Sequence, residues 1–106
     1  MADTIPMIKI SINKDKIKFN NLHKSLFSEL ENTACVIEED RVTIYESSNQ
    51  NSDPASVELR IKENLYLIYY WDGYSLADKF TSNNYEEALL QFKKFSKKLA
   101  KNLKKY

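Results

Sequence analysis

The stretch "SVELRIKENLYLIYYWDGYSLADKFT", residues 56–81, carries three strand signals separated by two short turn signals. Val57, Leu59 and Ile61 alternate with Glu58, Arg60 and Lys62, the period of a strand with one face in a core and one in water. The run "LYLIYYW" is apolar or aromatic throughout, with Leu65, Leu67, Tyr69 and Trp71 on one face and Tyr66, Ile68 and Tyr70 on the other. "EN" turns the chain between these two strands, and "DG" at Asp72–Gly73 is a strong signal for a type I′ hairpin, whose central positions both need positive φ. "YSLADKFT" is the returning strand. Strands joined this closely in sequence pair antiparallel, so the core of the fold is a meander.

Upstream, "ACVIEEDRVTIYES" adds two short strands, around 34–38 and 41–46, joined by the acidic turn "EED" and rich in β-branched residues. "SNQNSDPAS" is a polar loop in which Pro54 ends regular structure. At the start of the chain, Ile8, Ile10 and Ile12 alternate with Lys9 and Ser11 and predict one more strand. "NNLHKSLFSELEN" spaces Leu22, Leu26 and Leu30 four apart with Phe19 and Phe27 beside them, a helix of about three turns after an Asn20 or Asn21 cap.

"SNNYEEALLQF" opens the last helix with a capping box, Asn84 with Glu87. At about 100° per residue, Tyr85, Ala88, Leu89, Phe92, Phe95, Leu99, Leu103 and Tyr106 form one stripe, with seven lysines opposite. The expected fold is one α+β domain over residues 1–106. It has an antiparallel meander of about five to six strands, an N-terminal helix and a long C-terminal amphipathic helix, with the helices packed on one sheet face.

With 42% hydrophobic, 29% charged and 12% aromatic residues, the 106-residue chain has the composition of a globular domain, not of a disordered one. The N-terminal "MADTIPMIKI" lacks the basic and apolar regions of a signal peptide, the longest apolar run is too short to span a bilayer, and Cys35 has no internal disulfide partner. A cytoplasmic protein without a membrane partner is the expectation. Net charge is +1, but seven of the 16 basic residues lie between Lys93 and Lys105 with no acid among them, which leaves nine against 15 acids in the rest. An acidic middle therefore precedes a basic tail.

Catalytic and metal chemistry is sparse. One histidine, His23, and one cysteine, Cys35, cannot supply a structural zinc set. A thiol–imidazole nucleophile from this pair is arithmetically open, but Cys35 lies in an apolar strand pattern and His23 beside Lys24, Ser25 and Ser28, which reads as a buried thiol and a surface imidazole. Phosphate-cradling loops need several glycines, and Gly73 is the only one. A Glu38–Asp40 acid–base pair would sit on a solvated turn, where neither carboxyl is desolvated. No cofactor and no catalytic residue are expected, and the chain reads as a non-catalytic binding module.

The aromatic run then sets the question of the site. Helices cover one sheet face, so one ring set of "LYLIYYW" is inward, and we expect the Tyr66 and Tyr70 set to be exposed as partner anchors. The acidic residues Glu38, Glu39, Asp40, Glu46 and Glu58 are expected to steer a basic partner. The alternative is a module for RNA or single-stranded nucleic acid using the basic C-terminal helix and the sheet aromatics, although arginine is scarce and no glycine-rich aromatic RNA signature is present. A homodimer through the aromatic face or an exposed strand edge is a third arrangement.

The segment "WDGYSLADKFTSNNYEEALLQF", residues 71–92, resembles the strand, tight turn, strand and capped-helix ending of small immunity proteins from bacterial polymorphic-toxin and contact-dependent inhibition systems. The likeness rests on a Trp-Asp-Gly turn, a Phe closing the strand and an Asn-Tyr-Glu-Glu-Ala helix start, about a fifth of the chain. It implies a protein that binds a cognate toxin domain in the producing cell's cytoplasm and blocks its active site or a surface it needs. No catalytic residue or interface position carries over. Many nuclease-blocking members look strongly acidic overall, and this chain does not.

Overall fold

The computed structural model describes residues 12–30, 32–47 and 55–104. A short 3-10 helix, Ile12–Asp15, leads into α1, Lys16–Phe27. Five strands follow, β1 (Thr33–Ile37), β2 (Arg41–Glu46), β3 (Ser56–Lys62), β4 (Leu65–Trp71) and β5 (Leu76–Ser82), and then α2, Tyr85–Lys104. The strands form one antiparallel sheet in the order β1-β2-β3-β4-β5, the meander expected from the pattern. The strand expected around Ile8 lies outside the described residues except for Ile12, which is in the 3-10 helix and fully buried.

Both helices cover the same sheet face. Val42, Ile44, Val57, Leu59 and Ile68 meet Phe92, Phe95 and Leu99 of α2 and Phe19 and Phe27 of α1 in one cluster, with Phe19 and Phe92 edge to face at 5.6 Å. Along α1 the fully buried line is Phe19 and Phe27, and Leu22, Leu26 and Leu30 flank it as half-buried contacts. The helix begins earlier than expected, so Asn20 and Asn21 lie inside it and cap nothing. Asp15 occupies the cap position but makes no side-chain cap bond, because its carboxylate accepts the Tyr85 hydroxyl at 2.5 Å.

At α2, half of the expected capping box is made directly: the Glu87 N–H donates to Asn84 Oδ1 at 2.9 Å. The returning arm runs through a third residue. The Asn84 N–H donates to Ser82 Oγ at 2.9 Å, and the Ser82 hydroxyl donates to Glu87 Oε1 at 2.5 Å. Buried Ser82, the last residue of β5, thereby ties the strand end to the helix start.

The two turns exchange the roles that sequence suggests. Glu63 (φ 51°) and Asn64 (φ 71°) both adopt the left-handed conformation, and Lys62 pairs with Leu65, so "EN" is the two-residue I′-like hairpin. The "DG" connection is a longer loop, closed by Asp72 N–H to Ser75 O at 3.2 Å, with Gly73 at φ 103° and a register shift at Tyr70/Trp71. The Asp72 carboxylate accepts the N–H groups of Tyr74 (2.9 Å) and Ser75 (3.0 Å), a side-chain turn that makes a second positive φ unnecessary.

Two stability tests follow from these contacts. Glu63→Asn with Asn64→Gly relieves the left-handed strain on a side chain unsuited to it and is expected to stabilise by about 1 kcal/mol, read as a melting temperature several degrees higher. Ser96 is fully buried in α2, and its hydroxyl has no hydrogen-bond partner among the described residues, so Ser96→Ala is expected to stabilise by about 1 kcal/mol in denaturant titration.

Candidate functional site

Register decides which rings reach the surface. Ile61 pairs with Tyr66, Leu59 with Ile68 and Val57 with Tyr70, so these three residues of β4 share the helix-covered face with the apolar set of β3. Tyr66 is 3% exposed and Tyr70 5%, which corrects the expectation that they are surface anchors. Tyr66 packs on Tyr85 with ring centroids 5.3 Å apart, and the Tyr70 hydroxyl is hydrogen-bonded by the Asn102 side-chain amide of α2. Burial pushes both tyrosine hydroxyls above their ordinary range, and the Asn102 bond partly offsets this at Tyr70. Tyr85 is pushed up more strongly, by burial and then by its bond to Asp15.

The opposite sheet face has no described helix on it. Across all five strands one row reads Val36, Thr43, Glu58, Tyr69, Lys79, and the next reads Ala34, Tyr45, Ser56, Trp71, Leu76. A third, on the other side of the first, reads Arg41, Arg60, Leu67, Thr81. Trp71 is 42% exposed at the end of β4, and Tyr74, in the loop next to it, is 93% exposed. Leu76 at the start of β5 is exposed as well, and Tyr69 is half-buried one row inward. The two backbone bonds to Asp72 hold this loop and keep that carboxyl below its usual range. The result is an ordered aromatic corner at Tyr69, Trp71, Tyr74 and Leu76. The missed signal was the length of "EN": a two-residue turn fixes the parity of β4 against β3 and so turns Tyr69 and Trp71 outward.

The acidic residues that cluster in sequence are dispersed in space. Glu38, Glu39 and Asp40 are exposed on the β1–β2 turn, where Arg41 Nε lies 3.4 Å from Asp40 Oδ1 and 3.9 Å from Glu38 Oε1. Glu58 lies on the uncovered face, with Arg60 Nε 2.9 Å from its Oε2. Glu46 ends β2 on the register of the helix-facing side, with its N–H bonded to Ala55 O at 3.0 Å. The acidic turn and the aromatic corner lie at diagonally opposite corners of the sheet, roughly 20 Å apart from strand spacing and rise. That exceeds two Debye lengths at physiological salt, so the turn adds little to the field at the corner.

The lysines of α2 lie on the outer side of the helix layer, away from the uncovered sheet face. Lys98 reaches Asp78 of β5 at 3.2 Å and Lys104 approaches Glu29 at 3.8 Å. Basic helix and sheet aromatics therefore form two surfaces. His23 is half-buried, not a surface imidazole: its Nε2 lies 3.0 Å from Thr33 Oγ1 and its ring packs on Phe27 at 5.4 Å. Burial raises the half-buried Cys35 thiol to about 11, the opposite of what activates a nucleophile. Among the described residues no group of three or more His, Cys, Asp or Glu is arranged to hold a metal ion, and no helix is long and apolar enough to cross a membrane. Compared with known proteins, the chain matches no family model, no curated protein and no solved structure at a significant level.

His23 generates a pH test. Burial lowers its value below the ordinary 6.5, so the unfolded chain takes up the proton first on acidification. The neutral ring's contribution is complete above pH 6.5 and is lost as pH falls through the lower folded value. His23→Gln is expected to retain at pH 5 more of its pH 8 stability than the parent chain, measured by thermal unfolding.

Proposed function

We propose that this protein is a non-catalytic protein-binding module, an immunity protein that captures a cognate bacterial toxin domain and blocks it. The aromatic corner carries the reading. Tyr74 and Trp71 offer large contact area with few rotors to freeze and a polar tip on each ring, on a loop already ordered by Asp72, which lowers the entropy cost of binding. The resemblance of residues 71–92 to immunity proteins covers the same strand, loop and strand. His23 bonded to Thr33 and a thiol with a raised value are consistent with action by binding.

On this reading the anchors are Trp71 and Tyr74 with Leu76 and Tyr69 around them. The acidic turn Glu38–Asp40 lies outside this contact, and Tyr66 and Tyr70 support the corner from the core. The nucleic-acid alternative needs the α2 lysines and the sheet aromatics to act together, and they face opposite ways.

Trp71→Ala and Tyr74→Ala should each weaken capture of the cognate toxin domain by about 30-fold, the equivalent of about 2 kcal/mol, with the circular dichroism spectrum unchanged. Titration calorimetry would measure this, and growth of cells expressing the toxin domain would report loss of protection. Undiminished affinity in both variants would sink the proposed anchors. Salt-sensitive retention of single-stranded RNA, abolished by Lys97→Gln with Lys101→Gln, would overturn the protein-partner reading itself.

A further inference from the structure

Charge in this molecule is sorted by layer. Residues 14–30 and 84–104, the helix layer, carry ten lysines against the four carboxyls of Asp15, Glu29, Glu86 and Glu87, a surplus of six. The described residues of the sheet, 33–47 and 55–82, carry eight acids against four bases, a deficit of four. Two of the ten lysines have a carboxylate neighbour, Lys98 at Asp78 and Lys104 at Glu29. The other eight, with Lys94, Lys97 and Lys101 among them, form no ion pair with a described residue. Unpaired like charges held together repel one another, so an anionic surface brought against them relieves a cost that the folded chain already carries.

The same side also exposes apolar groups. On α2, Leu90, Lys94, Lys97, Lys101 and Lys104 recur at intervals of four, three, four and three, which makes one stripe opposite the buried line of Phe92, Phe95 and Leu99. On α1, Ile17, Asn21 and Lys24 are exposed on the side away from Phe19. Both helices cover the same sheet face, α1 over β1 and α2 over β3, β4 and β5, so their outer sides face the same way. Ile17 is 76% exposed and Leu90 62%, the most exposed aliphatic side chains among the described residues.

We propose that the outer side of the helix layer docks on an anionic phospholipid surface, with the lysines at the headgroups and Ile17 and Leu90 reaching the acyl boundary. Charge sets the sign of the partner, and the two aliphatics set its kind. A nucleic acid offers phosphates too, but the outer sides of these helices have no arginine fork and no aromatic ring for a base, and Ile17 and Leu90 would lie against polar groups. A bilayer interface takes both, since lysines keep their charge at the headgroups while aliphatic tips bury beneath them. The acidic sheet is repelled by the same leaflet, so the molecule is oriented as well as held. The inner sides of both helices stay buried in the core, which keeps the contact shallow and reversible. The aromatic corner then points into solution. This inference goes beyond the toxin reading and does not rest on it, since its test uses the purified chain and lipid alone.

Vesicles of equal parts phosphatidylcholine and phosphatidylserine should carry the chain with them on flotation at low salt, and vesicles of phosphatidylcholine alone should not. Salt well above the physiological level should release it. Lys94→Gln with Lys97→Gln and Lys101→Gln should lower the partition coefficient about 100-fold, whereas Lys79→Gln on the uncovered sheet face should leave it unchanged. Ile17→Ser with Leu90→Ser should lower it about tenfold without altering its salt dependence. All of these positions are exposed, so each variant should melt within a few degrees of the parent. Trp71, the only tryptophan, reports orientation: its emission should not shift on vesicle binding and should stay open to quenching by acrylamide. Failure to float at low salt, equal binding to neutral vesicles, undiminished binding in the triple lysine variant or a blue shift of Trp71 would each overturn the proposal. So would retention of single-stranded RNA that displaces the vesicles and is indifferent to Ile17→Ser and Leu90→Ser, which would assign the face to nucleic acid.

Discussion

The structure depends on α2 lying across β3 and β4. Phe92, Phe95 and Leu99 need an apolar surface as long as the helix, and the inward faces of those strands provide it in Val57, Leu59, Ile61, Tyr66, Ile68 and Tyr70. Of the two tyrosines in this layer, Tyr70 has its hydroxyl bonded across to α2, and Tyr66 is packed against the ring of Tyr85. Asn102 bonds Tyr70 near the end of α2, and Asp15 bonds Tyr85, which packs on Tyr66, near its start. Polar contacts at both ends of the helix thus fix its position along the sheet, and apolar burial holds it there.

Among the described residues a helix layer covers one sheet face and none covers the other, and that constraint creates the candidate site. Tyr69 and Trp71 project there because Tyr66 and Tyr70 project inward; strand alternation allows no other arrangement. The loop that follows then adds Tyr74, held by the Asp72 carboxylate. The site is a by-product of core packing made specific by one Asx turn. Ion pairs contribute much less to this architecture. Arg60–Glu58, Arg41–Asp40 and Lys98–Asp78 are all at least partly in solvent, where such pairs are worth little, and their main effect is to neutralise the acids locally. The acids of the middle of the chain therefore become scattered, several with a basic neighbour, while the lysines of α2 stay together on the outer side of the helix layer.

Much of the architecture was legible in the residues. Alternation in "SVELRIK" and the angular stripe of α2 are local properties, and the order of helix, five-strand meander and helix followed from such patterns. The exceptions share a cause. Asn20 and Asn21 resemble caps, but Asp15 precedes a better start for the helix and is itself claimed by Tyr85, seventy residues away. "DG" resembles the I′ turn, but the Asp72 side chain found two backbone donors, and the tight turn fell to Glu63–Asn64. His23 looks exposed beside Lys24 and Ser25, yet it falls between Phe19 and Phe27 on the buried side, facing Thr33.

By itself, the sequence determined the elements, their order and the two candidate ring sets, since these depend on backbone periods of 2 and 3.6 that any short window displays. Which ring set is covered was decided only when "EN" closed as a two-residue turn and aligned β4 with β3, because both faces of β4 are apolar and no property of the strand alone distinguishes them. The dispersal of the acids and the reach of Lys98 from α2 to Asp78 of β5 were likewise tertiary outcomes. They depend on which strand ends up at the edge and which residues lie across from it, and those relations exist only once the sheet has assembled.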